Sequence, residues 1–545
     1  MKVFKKKRVW LLSTLVAVAG STASSQNNEW FLEFGQNVNG ANVENIYNQN
    51  LITNPSNKVI VAVIDGGVDA EHEDLKDIMW VNSDEIPGNN IDDDNNGYID
   101  DIYGWNFIGN ANGENVNQDT YEITRQYKKL HAKYNNVKAE DVSKKDKEEY
   151  ANYLKYKSKV EKEYEKSKED YDNLMQQKLF IENFLKMANA TVGDEMAINS
   201  NTIAKLEKEK ADVNQQVIGI LKNIIESTGE SFENFMAFEK FVLSDIEAGE
   251  KYYASKSKYG YNVDFDPRHI VGDDFSNKKE KYYGNNDVAG PDAFHGTHVA
   301  GIIAANRNNS IGIKGISNQV EIMGVRVVPD GDERDKDVAN GIRYAVDNGA
   351  KVINMSFGKG ISPAKSVVDK AVKYAAKHDV LLIHAAGNEA SNTDTTSNFP
   401  TDIYDKKGLF GKKKYAKNWM EIGALAMNKT EKSVASFSNF GQQNVDLFAP
   451  GHNIYSTAPD NKYKSSSGTS MAAPVVAGVA AIIRANFPSL SAEQVKNILM
   501  ETADPIEIPV NEPGSEEKVD FSKLSVSGGI VNAEKAYRMA QSMAK

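Results

Sequence analysis

VIVAVIDGGVD, residues 59–69, runs six apolar residues, most of them β-branched, into an aspartate and a pair of glycines. An unbroken apolar run, as opposed to an alternating one, marks a strand covered on both faces, the burial that a parallel sheet between two helical layers imposes. Runs of the same kind recur at VINMSFG (352–358), at VLLIHAAGN (380–388) and around 422–426, with helix-like pieces between them at 337–348 and 364–377. Strands alternating with helices predict an α/β fold, a doubly wound, mostly parallel sheet flanked by helices, with any active site outside the carboxyl ends of the strands. Asp65 stands at such an end, and the glycines behind it permit a sharp turn beneath neighbouring groups.

Composition narrows the function classes. A formal charge of −12 argues against a general nucleic-acid binder. With no cysteine in the chain, disulfides, thiolate metal sites, a cysteine nucleophile and a lipid anchor on cysteine are all ruled out. The first residues carry basic side chains at 5–8, an apolar stretch at 9–19 and small residues leading to Ala23. That order is the order of a secretory signal peptide, and the apolar stretch is too short for a membrane span. A signal peptide is therefore expected at 1–23 and a short N-terminal segment at 24–58. The protein is expected to be secreted or periplasmic, with no stable membrane anchor after cleavage.

Residues 118–260 are proline-free and rich in Lys, Glu, Tyr and Asn. Positions 150, 153, 160, 164, 171, 174, 181 and 185 carry Tyr, Tyr, Val, Tyr, Tyr, Leu, Ile and Leu, a stripe with steps of three and four. It predicts a helix of roughly ten turns, interrupted on its apolar side by Lys157, Ser167 and Lys178, with a second helical segment around 203–225. The reading is a helical hairpin arm inserted at 118–260, splitting one α/β domain into 59–117 and 261–545. Such an arm is either a solvated decoration packed on itself or a lid, regulatory or partner-binding arm.

Three segments carry groups suited to nucleophilic catalysis, which needs a nucleophile, an imidazole to take its proton and a carboxylate to orient the imidazole. Asp65 ends the first buried strand, His295 opens HGTHVAGIIAA, and Ser470 lies in GTSMAAP at a loop-to-helix transition. A serine at a helix N-terminus gains exposure and a backbone N–H able to face a developing oxyanion. Taken together and in this order, ID-G-V-D, HGTHVAG and GTSMA-P resemble the subtilase family of serine endopeptidases. The resemblance covers 59–109 and 287–536 and leaves the helical insertion outside.

It implies an endopeptidase acting on protein or peptide substrates through an acyl-enzyme intermediate, with Asp65, His295 and Ser470 as its triad. It also implies Asn388, in HAAGNEA, as the side-chain oxyanion donor. Ser356, Phe357 and Gly358 match the edge along which the family lays the substrate backbone as an added antiparallel strand. Ala385, Ala386 and Gly387 match a wall of the primary specificity pocket, and Asn398 lies near the position of its floor, where relatives of broad specificity usually carry glycine. Asn398 would shorten that pocket and disfavour large aromatic side chains. His72 and His298 are read as structural hydrogen-bonding residues.

IDDDNNGYIDD (91–101) spaces oxygen ligands at Asp92, Asp94, Asn96 and Asp100, with Gly97 at the sharp turn, and resembles the first half of an EF-hand loop. The twelfth position is Tyr103, so a closing ligand must come from Asp101 or from a distant residue. Hard oxygen ligands without His or Cys select calcium over zinc. The expected role is structural, with no cofactor for catalysis. Asp273 and Asp274 form a second acidic cluster.

Two features depart from the family pattern. Roughly 35 residues separate Ala23 from Val59, short for a compact pro-domain, and the insertion lies between Asp65 and His295. The competing reading is a non-catalytic scaffold of the same fold that binds a partner through the arm. Retention of Asp65, His295, Ser470 and Asn388 together argues against it, and the sequence leaves the oligomeric state open.

Overall fold

Each apolar run forms a strand in a computed structural model that describes residues 28–52, 56–209, 215–406 and 412–545. The expected signal peptide lies outside the described residues. By its contacts the chain divides into two compact units: Asn27–Lys138 with Val263–Lys545, and Ala139–Asn262.

The first unit is built on a nine-stranded sheet. Its main strands are β1 Val59–Asp65, β2 Gly104–Asn106, β3 Val320–Arg326, β4 Val352–Met355, β5 Leu381–Ala385, β6 Trp419–Leu425 and β7 Leu447–Pro450. They lie in the order β2-β3-β1-β4-β5-β6-β7 and every neighbouring pair is parallel. Gly529–Ile530 continues the sheet parallel to β7, and Asp504–Pro505 closes that edge antiparallel. The chain goes from β1 to β2 and β3 on one side and then crosses to β4 on the other, so the switch point falls beside β1.

Alternation along β1 explains why its run is apolar throughout. Val61 and Val63 enter a core shared with the helices Phe294–Ala304 and Thr469–Asn486. Ala62 and Ile64 enter the opposite core, shared with Asp335–Asp347 and Lys365–Lys377. Thr469–Asn486 is long and apolar enough to cross a membrane, yet 89% of its apolar window is buried inside the protein, so it is a core helix. The N-terminal segment joins the first core through Trp30, Phe31 and Leu32, and Ala41 accepts a backbone hydrogen bond from Ala533 at 2.8 Å.

The second unit holds the stripe predicted from sequence on one helix, Lys147–Val192, 46 residues long and so longer than the expected ten turns. Tyr153, Val160, Ile181 and Leu185 from that stripe are buried. Two of its polar interruptions are accommodated: Ser167 donates to its own chain at Tyr164 O, 3.0 Å, and Lys178 pairs with Glu250 at 2.6 Å. Glu250 belongs to Phe235–Ala254, a helix absent from the sequence reading although Phe235, Phe238, Val242 and Ile246 carry the same steps of three and four. The segment expected at 203–225 is two helices, Ser200–Glu209 and Gln215–Thr228. The unit also begins at 139 and not at 118. Residues 118–138 stay with the sheet because Asp119 N donates to Asp330 O at 3.0 Å and the Glu122 N–H, opening the helix Glu122–Tyr134, donates to Asp332 Oδ2 at 2.8 Å.

Candidate active site

Glycine decides how closely the Asp65 strand and the His295 helix approach. A Cβ on Gly296 would lie 2.2 Å from Gly67 O and 3.1 Å from Asp65 Cβ, and one on Gly67, at φ +149°, would lie 2.0 Å from Ala289 O. The turn after Asp65 is further held by the buried Arg326, whose Nε donates to Gly66 O at 2.7 Å. In that setting His295 Nδ1 sits 2.8 and 3.0 Å from the two Asp65 carboxylate oxygens. An ionised carboxylate accepts only, so Nδ1 carries the proton and the Nε2 lone pair is the free basic site.

Burial opposes a charge on His295, but the Asp65 carboxylate beside it, its hydrogen bond and the more distant Asp292 together raise the imidazole pKa above its ordinary value. The ring keeps 41% of its side-chain surface exposed, so proton exchange with solvent is open. His298, three residues on, behaves oppositely: burial lowers its pKa to about 4, and Nε2 lies 3.0 Å from Lys464 O. His72 Nε2 lies 3.1 Å from Lys462 O while its Nδ1 accepts from Asp74 N at 3.1 Å. Both therefore tie the body to the hairpin strand Lys462–Ser466.

Ser470 is placed by a proline. Pro474 has no N–H, so the Ser470 carbonyl, its helical acceptor, is left unpaired inside Thr469–Asn486. Ser356 Oγ donates to that carbonyl at 2.9 Å, and Ser470 Oγ donates to Ser356 O at 3.0 Å. This reciprocal pair pins the helix start to the end of β4 and ends the ladder at Met355, three residues before the apolar run does. The Ser470 hydroxyl thus rests on Ser356 O and not on the imidazole. Ser470 N–H belongs to the first helical turn, whose donors have no intrahelical partner.

Asn388 is fixed by a residue that sequence reasoning missed. Thr469 N and Thr469 Oγ both donate to Asn388 Oδ1, at 2.9 and 3.1 Å, and the same hydroxyl accepts from Gly387 N at 3.0 Å. With its oxygen doubly held, the Asn388 amide presents its NH₂ as the free end, 3.4 Å from where a Cβ on Gly468 would lie. Gly387, at φ +104°, has no room for a side chain because a Cβ would meet Asn439 Nδ2 at 2.3 Å. Asn398 donates to Ala385 O at 3.0 Å, and its Oδ1 would be 2.2 Å from a Cβ on Gly358. It therefore spans from the end of β5, near Ala386, to the 356–358 segment, where Phe357 is half-buried and Gly358 exposed.

The acidic loop folds differently from its sequence reading. Carboxylate oxygens of Asp92 and Asp94 lie within 4.8 Å of one another and of Glu85, a residue outside the 91–101 stretch. Asp100 does not join them: at φ +52° it turns both oxygens to the backbone N–H groups of Gly88 and Asn90, at 2.9 and 2.8 Å. The Asn96 amide donates to Asp94 Oδ2 at 2.9 Å and to the buried Asp101 at 3.2 Å. Burial raises the Asp101 pKa to about 6 against hydrogen bonds from Tyr344, Asn82 and Asn96. Among the described residues, no Lys or Arg pairs with Glu85, Asp92, Asp94 or Asp101. The Asp273 cluster is no ligand set, since that carboxylate is consumed by Arg268 at 2.7 Å and Lys336 at 2.5 Å.

A model described as the Subtilase family matches residues 56–523. Subtilisin DY of Bacillus licheniformis is 39% identical over 213 residues, 38% of this chain and 70% of its own length. Subtilisin BL of Lederbergia lenta is 38% identical over 246 residues, 45% of this chain and 77% of its own. Alkaline elastase YaB of Bacillus sp. (strain YaB) is 36% identical over 245 residues, 45% of this chain and 55% of its own.

Proposed function

Since the chain belongs to the subtilase family of serine endopeptidases, we propose that it cleaves proteins with Ser470 as nucleophile, His295 as base and Asp65 as the orienting carboxylate. The observation that carries this reading is the Asp65–His295 pair at 2.8 Å, formed where the β1 strand and the histidine helix meet at the switch point. A substrate backbone adding along 356–358 brings an N–H to Ser356 O and takes the place of the Ser470 hydroxyl there. The hydroxyl turns to His295 Nε2, which accepts its proton as Oγ bonds to the scissile carbonyl carbon. The electron pair displaced onto oxygen is met by Ser470 N–H and the Asn388 amide. Collapse breaks the C–N bond, His295 gives the proton to the leaving amine, and water repeats the sequence on the acyl-enzyme. Asn398 narrows the primary pocket between Gly358 and Ala385 and selects against large aromatic side chains. The direct test is labelling by a fluorophosphonate: one equivalent is expected on the parent protein and none on Ser470→Ala, and equal labelling of both would overturn the assignment.

The Asp65 contact sets the pH dependence. Because the base works only when neutral and its pKa is raised, kcat/KM on a peptide amide rises with pH through an inflection above about 6.5, the ordinary imidazole value. The same pair contributes stability at pH below the unfolded imidazole pKa, and that contribution is lost as pH rises through the folded value. A pH–rate profile with its acid limb below the ordinary value contradicts this role for Asp65.

Calcium is proposed at Glu85, Asp92 and Asp94, a donor set of hard oxygens in a cluster that lacks a cationic partner among the described residues. When bound, the ion supplies charge compensation to the loop and takes no part in bond cleavage. Binding to the folded state alone stabilises it by about 2.7 kcal/mol at a hundredfold excess over Kd. Chelation is expected to lower Tm, and Asp94→Ala to abolish that response; an undiminished response in the variant places the ion elsewhere. Export is proposed on the order of basic, apolar and small residues in 1–23, and N-terminal sequencing of protein recovered outside the cytoplasm checks it.

A further inference from the structure

Lys359 follows the exposed Gly358 but is itself buried, with 1% of its side chain accessible. Its Nζ donates to Glu333 O at 2.7 Å and pairs with Asp335 at 2.9 Å and Glu122 at 3.2 Å. Those contacts join three separate pieces of chain. Glu333 and Asp335 lie on the segment leaving β3, whose Val327 and Val328 N–H groups donate to Asp65 O, so that it departs on one side of Asp65. Lys359 lies on the segment leaving β4, whose Ser356 carbonyl holds the Ser470 hydroxyl, on the other side. Glu122 opens the helix through which the chain leaves the sheet for the inserted unit.

One residue further on, Arg334 is gripped from both ends of that excursion. Asp119, on the departing chain, receives its guanidinium at 2.7 and 2.9 Å, and Asp266, on the returning chain, does so at 3.0 Å. A buried lysine would ordinarily lose affinity for its proton. Glu333, Asp335 and Glu122 overcome the burial and raise the Lys359 pKa, and Arg125, with Lys359 second to it, holds the Glu122 carboxyl at about 2 despite its own burial. The Lys359–Glu122 tie is therefore charged, whereas burial pushes the Glu333 carboxyl up to about 8 and Lys359 meets that residue at its main-chain oxygen.

Ligands of a doubly wound sheet bind in the crevice between the loops that diverge at the switch point, and here those loops are 327–335 and 356–359. We propose that Lys359, by holding the buried Glu333 and Asp335, is a positioning residue that fixes the half-buried 331–332 stretch just before them as the crevice wall opposite 356–358, and so sets the width available to a substrate backbone upstream of the scissile bond. The inference rests on the endopeptidase reading. It extends that reading by assigning the buried ion network, built partly from the roots of the insertion, to the recognition of extended substrates.

A substrate that reaches only the primary pocket does not touch this wall, whereas one extended by three residues on the amino side does. The test compares a single-residue ester with a tetrapeptide amide on the parent protein, Lys359→Met and the gentler Glu122→Gln. Lys359→Met is expected to lower kcat/KM for the tetrapeptide about tenfold, chiefly through KM, the signature of lost binding common to ground and transition states. The ester is expected to change by less than about twofold, and Glu122→Gln to move both in the same directions by less. Equal losses on both substrates in either soluble variant mean a structural role only and overturn the proposal, as does unchanged tetrapeptide KM. Hydrolysis of neither substrate by the parent protein overturns the endopeptidase reading itself, a failure distinct from the other two.

Discussion

Ser470→Ala is expected to abolish amide hydrolysis, with a fall on the order of 10⁶ in kcat, the loss that removal of the nucleophile causes in subtilisin. The size follows from what is removed. Without Oγ no acyl-enzyme forms, and what remains is the binding of the substrate and the oxyanion donors, which act on an attacking water at far lower efficiency. The fold is expected to persist, because the two contacts that pin the helix start are unequal in kind. The Ser356 hydroxyl still donates to the Ser470 main-chain carbonyl left open by Pro474, and only the reverse bond to Ser356 O is lost. The exposed or water-filled space left by a hydroxyl is small, so a change in Tm of a few degrees at most accompanies the loss of turnover. Steady-state kinetics and a thermal melt on protein free of host protease decide the matter, and retained hydrolysis would remove Ser470 from the mechanism.

What was legible in the sequence follows from the range of the forces involved. The strands β1, β4, β5 and β6 were legible because burial on both faces leaves a continuous apolar run, and the long helix because its stripe repeats over many turns. Features that depend on partners far along the chain were not. Glu85 completes the acidic cluster from outside the 91–101 spacing, while Asp100, in step with that spacing, is drawn away by the N–H groups of Gly88 and Asn90. The run Asp-Glu-Arg-Asp-Lys-Asp at 332–337 has the composition of a solvated surface, yet Arg334, Asp335, Lys336 and Asp337 are buried because their counter-charges arrive from 119, 266, 268, 273 and 359. The boundary of the inserted unit was misplaced for the same reason. Residues 118–138 have the composition of the insertion, but their charged groups are held by this run. Thr469 was overlooked between two conspicuous neighbours, although a hydroxyl beside the nucleophile is the signal that could have found it.

Asn388→Ala is expected to lower kcat by roughly 10²–10³ with little change in KM, because the donor acts where charge develops and not on the neutral carbonyl. The geometry gives the amide one available orientation. Thr469 N–H and Thr469 Oγ–H both end on Asn388 Oδ1, so a flip of the amide would set its NH₂ against two donors and leave both without an acceptor. The NH₂ is thereby preorganised, and the bare backbone at Gly468 keeps its approach clear. Preorganisation is what makes one neutral donor worth about 2.7–4 kcal/mol of barrier. Thr469→Val keeps the backbone N–H and removes the hydroxyl, so it is expected to lose a smaller factor in kcat, in the same direction, since Asn388 is then held by one bond in place of two. Both variants leave Asp65, His295 and Ser470 in place, and fluorophosphonate labelling of Ser470 distinguishes a slowed but assembled site from a collapsed one. An effect of Asn388→Ala confined to KM would mean that the amide binds the ground state, and the charge on the tetrahedral oxygen would then be carried by Ser470 N–H without it.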